Sequence, residues 1–206
     1  MKSLNEPCHI VVAATFPPGM ICHLLSQNLR AEHLPATVEN CWSVDVVHQL
    51  SDAKTPIFQN AGGINVLLVR LEDWSNGSVD GADPLTELFV RRRGEDFVSK
   101  LGFLAQCLNA WFIVCLILRR SHRALDKPAT GELTRYFDDL LESEVGWMER
   151  VRLLRVTGTQ PRWEPKGTED ALEVYGPEDF ERIVRTLLRA IREIVGSHIF
   201  QKTGKE

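Results

Sequence analysis

The chain alternates short apolar runs with segments whose apolar residues recur at helical spacing. Residues 9–14 predict a first strand, and residues 18–32 carry apolar side chains along one helical face. A weak strand near residues 37–41 and a short helix capped by Ser43 follow. Residues 64–71 are almost continuously apolar, which is typical of a central strand in a parallel sheet.

The second half of the chain continues this pattern. Asp83-Pro84 predicts the start of a long helix. We expect its apolar face to comprise Leu85, Leu88, Phe89, Phe97, Leu101, Leu104 and Leu108. Residues 111–118 predict a fourth strand, residues 119–130 a charged loop, and residues 152–156 a fifth strand that another helix precedes.

The final helix has the strongest amphipathic pattern and completes the alternation. It begins at Gly176-Pro177 and is predicted to end at Gly196, so that residues 197–206 form a flexible tail. Alternating strands and helices predict a three-layer α/β fold, flavodoxin- or SGNH-like. Its mostly parallel sheet has about five strands, with helices on both faces. At 206 residues and 44% hydrophobic content, one domain spanning residues 1–206 is expected.

Charge and composition exclude several classes of partner. The net charge is −4 and the longest block of like charge is Arg91-Arg92-Arg93, so no nucleic-acid partner is expected. The first residues lack a signal-peptide pattern. Gln106 and Asn109 interrupt the apolar stretch at residues 101–118, which predicts a helix end followed by a strand, not a membrane span.

The five cysteines are scattered without CxxC spacing. Reduced thiols in a cytoplasmic protein explain their odd number, and no metal site is expected. No GxGxxG, P-loop or DxDxT motif is present, so we expect no cofactor.

Candidate functional residues lie directly after the strands, because ligands of open parallel sheets bind beyond the strands' carboxyl ends. Thr15 follows the first strand at the start of a helix, where amide donors favour developing negative charge; it is alternatively a cap or turn residue. Arg70, Asp73 and Trp74 follow the third strand. Asp73 either orients a base or a donor, or caps a loop.

A basic segment follows the fourth strand. Arg119, Arg120 and His122 are candidates for binding a phosphate or a phosphopantetheine group, with a solvated loop as the alternative. In helix 18–32, Cys22 and His23 lie among leucines, so that one of them must face the core, and both are assigned to packing.

Two segments resemble a known family. Val11-Val12-Ala13-Ala14-Thr15-Phe16, and the stretch from Gly63 through Leu71-Glu72-Asp73-Trp74, are similar to the SGNH-hydrolase-like N-terminal domain of FkbH-like proteins, which accompanies some nonribosomal peptide and polyketide synthases. The resemblance covers residues 9–75 and, more loosely, residues 175–195. Glyceryl transfer in that family requires a separate phosphatase-like domain, whose aspartate motif this chain lacks.

The resemblance implies a degenerate hydrolase fold. SGNH enzymes use a serine after the first strand and an Asp-His pair before the last helix; here Thr15 lies near the nucleophile position, and the late loop reads Glu173-Val174-Tyr175-Gly176, without histidine. The first hypothesis is an accessory, noncatalytic domain that contacts a carrier protein or synthase module through residues such as Phe16, Arg70, Trp74, Arg119 and Arg120.

Two other hypotheses remain open. An acyl transferase or thioesterase would use Thr15, Asp73 and His122 as an altered catalytic set on carrier-bound acyl groups. Alternatively, Trp147 and Trp163, which lie on irregular segments, anchor an interface of a structural or oligomerising module.

Overall fold

Five strands form one sheet in which every neighbouring pair runs parallel. The structure is a computed structural model, which describes residues 8–41, 45–75, 84–119, 128–159, 161–162 and 174–203. The strands are β1 (Cys8–Ala14), β2 (Ala36–Asn40), β3 (Ile64–Val69), β4 (Trp111–Arg119) and β5 (Val151–Thr159). They lie in the order β2-β1-β3-β4-β5, which confirms the predicted parallel sheet.

Helices cover both faces of the sheet, so the three-layer α/β fold is also confirmed. One face carries α1 (Gly19–Ala31) and α6 (Pro177–Thr203). The other carries α2 (Val46–Gln49), α3 (Pro56–Gln59), α4 (Pro84–Cys107) and α5 (Pro128–Glu144). A 3-10 turn, Leu71–Ser75, follows β3, and a small antiparallel pair joins β6 (Pro161–Arg162) to β7 (Val174–Tyr175).

The apolar runs exist because both faces of the strands are covered. In β1, Ile10, Val12 and Ala14 pack beneath α1 and α6, whereas Val11 and Ala13 face the helices on the opposite side. All five side chains are fully buried. A strand buried on both faces favours apolar residues at successive positions, which explains the absence of polar alternation in the sequence of β1.

Several predicted element boundaries are wrong. Asp45, not Ser43, caps α2, because its carboxylate accepts a hydrogen bond of 2.9 Å from the Val47 amide. Helix α6 continues through Gly196 to Thr203. A glycine inside a helix costs only about 1 kcal/mol relative to alanine, so it does not by itself end one.

The predicted apolar face of α4 is partly wrong. Leu88 and Phe89 are 47% and 50% exposed. The buried face is instead formed by Val90, Phe97, Val98, Leu101 and Leu104. Leu88 precedes Phe97 by nine residues, which is about two and a half helical turns. The extra half turn places Leu88 on the side of the helix opposite Phe97.

Two other predictions concern the residue pair Cys22 and His23 and the apolar stretch at residues 101–118. One residue of the pair faces the core, as expected: it is Cys22. The assignment of His23 to packing is wrong, because His23 is exposed and its ring lies 2.9 Å from the Gln27 side chain. The apolar stretch at residues 101–118 is the end of α4 followed by β4, as predicted. Among the described residues, no helix is both long and apolar enough to cross a membrane.

Buried amides close the amino-terminal edge of the sheet between β1 and β3. The Asn60 side-chain amide donates to the His9 carbonyl, to the Ile64 carbonyl and to Asn65 Oδ1, over 3.0–3.3 Å. The Asn65 amide in turn donates to the Ile57 carbonyl at 3.4 Å. We call Asn60, Asn65 and the adjoining Gly63 the amide cluster.

Candidate functional site

The strand order reverses between β1 and β3. From β1 the chain passes through α1 to β2 on one side, and it then returns past β1 to β3 on the other. Connections that leave on opposite sides open a crevice at the carboxyl ends of the two strands, where α/β proteins of this strand order bind ligands. Thr15 follows β1 at this crevice, and Arg70 follows β3.

The Thr15 hydroxyl is held by three contacts with the segment after β3. It donates to Asp73 Oδ2 at 2.7 Å and lies 3.4 Å from the Arg70 carbonyl. The backbone N–H of Arg70 donates to the Thr15 oxygen at 3.0 Å. Both the donor and an acceptor site of the hydroxyl are therefore used within the protein.

Asp73 is also bound by the guanidinium group of Arg70. Arg70 Nε donates to Asp73 Oδ1 at 2.7 Å, and Nη2 binds the same oxygen. The two side chains are only 15% and 14% exposed, so this ion pair is partly shielded from solvent. The guanidinium carbon also lies 5.5 Å from the centre of the Phe16 ring, in cation–π geometry. We call Thr15, Arg70 and Asp73 the switch-point cluster.

Trp74 supports this cluster from the core. Its ring lies 5.5 Å from the ring of Phe137 in edge-to-face contact and 5.9 Å from the ring of Phe97. Only 6% of Trp74 is exposed. Its packing fixes the 3-10 turn that carries Asp73, and little of its ring is available to a ligand or partner.

The structure brings together four of the predicted site residues, namely Thr15, Phe16, Arg70 and Asp73. Arg119 is the last residue of β4, and its side chain is not among the described ones. Arg120 and His122 lie outside the described residues. Sequence reasoning missed the backbone N–H of Arg70 as a partner of Thr15 and the stacking of Arg70 on Phe16, because neither contact leaves a pattern in the sequence.

Among the described residues, no histidine hydrogen-bonds to Thr15, and no metal site is formed. Within the described part of the chain, the side chains of Thr15 and Asp73 hydrogen-bond only to each other and to Arg70. His9 binds Glu39 at 3.0 Å and lies near the opposite end of β1. The described residues contain no group of three His, Cys, Asp or Glu side chains that could hold a metal ion.

Buried cysteines are poor candidates for the nucleophile. Burial raises the pKa of the Cys22 thiol to about 11 and that of Cys115 to about 12. Burial also raises the pKa of Cys8 and Cys41. Because the thiolate is the reactive form, these four thiols are protonated and unreactive near neutral pH.

No protein-family model matches the chain, and no curated protein sequence matches it.

Proposed function

We propose that the chain is an accessory, noncatalytic SGNH-like domain of a nonribosomal peptide or polyketide assembly line, and that it binds a carrier protein or synthase module. The resemblance of residues 9–75 to the N-terminal domain of FkbH-like proteins suggests this context. The parallel α/β fold, with Thr15 directly after β1, is consistent with it.

The observation that supports a noncatalytic role is that the Thr15 hydroxyl is hydrogen-bonded within the protein, to Asp73 and to the backbone of Arg70. A nucleophilic hydroxyl needs a base that can take its proton, and in SGNH enzymes a histidine oriented by an acid does so. Here the hydroxyl proton points to Asp73, whose other oxygen is already bound by Arg70. This arrangement holds the hydroxyl in place without providing the proton relay of a hydrolase.

One observation favours the alternative, an acyl transferase or thioesterase. The 2.7 Å bond between Thr15 and Asp73 joins a hydroxyl to a carboxylate at the ligand-binding edge, which is one half of a catalytic arrangement. His122 would have to supply the other half. In this hypothesis the Thr15 oxygen attacks the thioester carbonyl, His122 takes the hydroxyl proton, and the thiol of the carrier arm leaves with a proton.

Intact-mass spectrometry on the protein mixed with an acyl-loaded carrier protein separates the two functions, with a native gel run on the same mixture. For a binding module we expect a shifted complex on the gel and unchanged masses of both proteins. Loss of acyl mass from the carrier, or its gain by this chain, would establish the enzyme instead.

Variants assign any turnover to the site. Thr15→Ala and His122→Ala abolish acyl transfer if the catalytic alternative holds. Thr186→Ala is the matched control, because Thr186 bonds the Arg182 carbonyl on the exposed surface of α6, far along the chain from the cluster. Absence of both complex formation and acyl transfer with cognate carrier proteins would overturn the proposal.

A further inference from the structure

Helix α4 carries large apolar residues on its outer face as well as on its inner face. Leu88, Phe89 and Phe103 are 47%, 50% and 60% exposed, although Phe97 and Leu101 of the same helix are fully buried. A surface helix of a globular protein normally exposes a polar face. Large exposed apolar side chains on one face of a helix are candidate contacts for another molecule, as in helices that dock against a partner through apolar anchors.

The exposed residues form one stripe. At 3.6 residues per turn, Phe89, Arg92, Asp96, Ser99 and Phe103 fall within about 80° of one another around the helix axis. Phe89 and Phe103 lie at the two ends of the stripe, about 21 Å apart at 1.5 Å per residue. Leu88 borders the stripe near Phe89. We call this surface the outer α4 stripe.

Among the described residues, the charges on α4 leave one cation without an intramolecular partner. Glu87 pairs with Arg91 at 2.8 Å, Asp96 with Lys100 at 2.7 Å, and Arg93 with Asp45. Glu95 accepts a hydrogen bond of 2.7 Å from the Tyr136 hydroxyl. Within the described residues, Arg92 has no hydrogen-bonding or ionic partner, and it lies exposed between the two phenylalanines.

A second copy of the chain fits this stripe poorly. Antiparallel pairing that puts Phe89 of one copy on Phe103 of the other places the twofold axis at Asp96. Asp96 would then face its own counterpart, and Arg92 would face Lys100 of the other copy. Like charges opposed across an interface cost binding energy. Arg92, which has no partner within the described part of the chain, instead favours a binding partner that places a negative charge opposite it.

We propose that the outer α4 stripe is the docking surface for an acidic amphipathic helix of a partner protein. This inference rests on the proposed function, under which that partner is the carrier protein. Apolar residues at both ends of the partner helix would cover Phe89 and Phe103, and a carboxylate between them would pair with Arg92. Exposed aromatic residues and arginine are the residue types most enriched in such interfaces.

Trp147 is a further exposed aromatic residue near one end of α4. It is 70% exposed and precedes Met148, which packs beside Gly102 near the carboxyl-terminal end of α4. Phe103 and Trp147 therefore lie at the same end of the helix. This agrees with the expectation that Trp147 anchors an interface; Trp163 lies outside the described residues.

The test measures the affinity of a holo carrier protein for the wild-type chain and for variants, by isothermal titration calorimetry. Arg92→Glu should weaken binding at least about tenfold, and Phe89→Ser with Phe103→Ser should do the same. Arg189→Glu is the matched control, because it makes the same charge change on exposed α6 across the sheet and should leave the affinity unchanged. Exchanging an acidic residue of the carrier helix for lysine should restore binding to the Arg92→Glu variant.

The outcomes separate this inference from the proposed function. Met20→Ser changes an exposed residue in the first turn of α1, at the same edge of the sheet as the switch-point cluster. If the carrier binds and only Met20→Ser weakens that binding, the proposed docking surface is wrong, whereas the proposed function stands. If the wild-type chain does not bind the carrier at all, the proposed function fails first. A dimer that sediments as such and dissociates in the Phe103→Ser variant would show that a second copy covers the stripe.

Discussion

Two polar clusters join β1 to β3, one at each edge of the sheet, and they are built differently. The amide cluster at the amino-terminal edge is neutral; Asn65 is fully buried and Asn60 is 6% exposed. Its bonds go mainly to backbone carbonyls. The switch-point cluster at the carboxyl-terminal edge is charged and partly exposed, and its main contacts join one side chain to another.

The difference separates what the fold requires from what a function requires. The buried amides donate hydrogen bonds to backbone carbonyls in the strands and in the segment before β3. Replacing them leaves those carbonyls buried without a donor, which costs folding free energy. A charged cluster that faces the crevice contributes less to folding and adds chemistry where ligands bind. Substitutions in the two clusters should therefore differ in their effect on unfolding, and three variants test this in order of decreasing effect.

Gly63→Ala should be the most destabilising of the three. A Cβ atom at Gly63 would overlap the His9 carbonyl oxygen and the Asn60 side-chain oxygen, and neither can move without breaking the amide cluster. We expect a loss of about 3 kcal/mol or more in the free energy of unfolding, measured by urea denaturation.

Gly131→Ala is the matched control for this substitution. Its Cβ would meet nothing within 4 Å, and Gly131 lies in α5, where alanine is the better helix former. We expect it to stabilise the protein by about 0.5–1 kcal/mol. Equal effects of the two substitutions would mean that the amide cluster does not constrain this edge.

Asn60→Ala should cost somewhat less, about 2–3 kcal/mol, because it leaves Asn65 Oδ1 buried without its donor. The same urea denaturation measures it. Asn28→Ala, which removes an exposed bond to the Leu24 carbonyl, is the control and should change the stability by less than about 0.5 kcal/mol. A loss for Asn60→Ala no larger than for Asn28→Ala would contradict a structural role of the cluster.

The fold could be predicted from the sequence because burial on both faces leaves a strong local signal. β1 and β3 are apolar runs in the sequence. Because ligands of parallel sheets bind beyond the carboxyl ends of the strands, the residues after these runs, Thr15, Arg70 and Asp73, are the predicted site. Which face of α4 packs against the sheet could not be predicted in the same way. Apolar residues lie on both the inner and the outer face of this helix, and the prediction placed all of them on one face. The spacing between Leu88 and Phe97 would have separated them, as an offset of half a turn excludes a shared face.

The contacts within the site were beyond sequence reasoning. Nothing in the order of residues 60–65 shows that Asn60 reaches Asn65 and the His9 carbonyl. Likewise, Thr15 and Asp73 are far apart in sequence and meet only because β1 and β3 are neighbours. Such contacts depend on the register of parallel strands, which composition and periodicity do not specify.

Arg70→Met should have the smallest effect of the three. Methionine keeps an apolar stem against Phe16 but removes the guanidinium group from Asp73. Breaking a fully buried ion pair costs about 3–5 kcal/mol, and an exposed pair is worth about 0–1 kcal/mol. With both side chains partly exposed, we expect a loss of about 1.5 kcal/mol in the free energy of unfolding.

The matched control for Arg70→Met is Arg91→Met. Arg91 also pairs with a carboxylate close in sequence, that of Glu87, and stacks over an aromatic ring, that of Tyr136, but this pair is more exposed. We expect about 0.5 kcal/mol or less for it. If Arg70→Met costs as much as Asn60→Ala, the switch-point cluster belongs to the folding core. If instead Arg70→Met costs little and weakens carrier binding, the charged pair serves recognition, because a folded chain that loses only affinity has lost a contact with its partner.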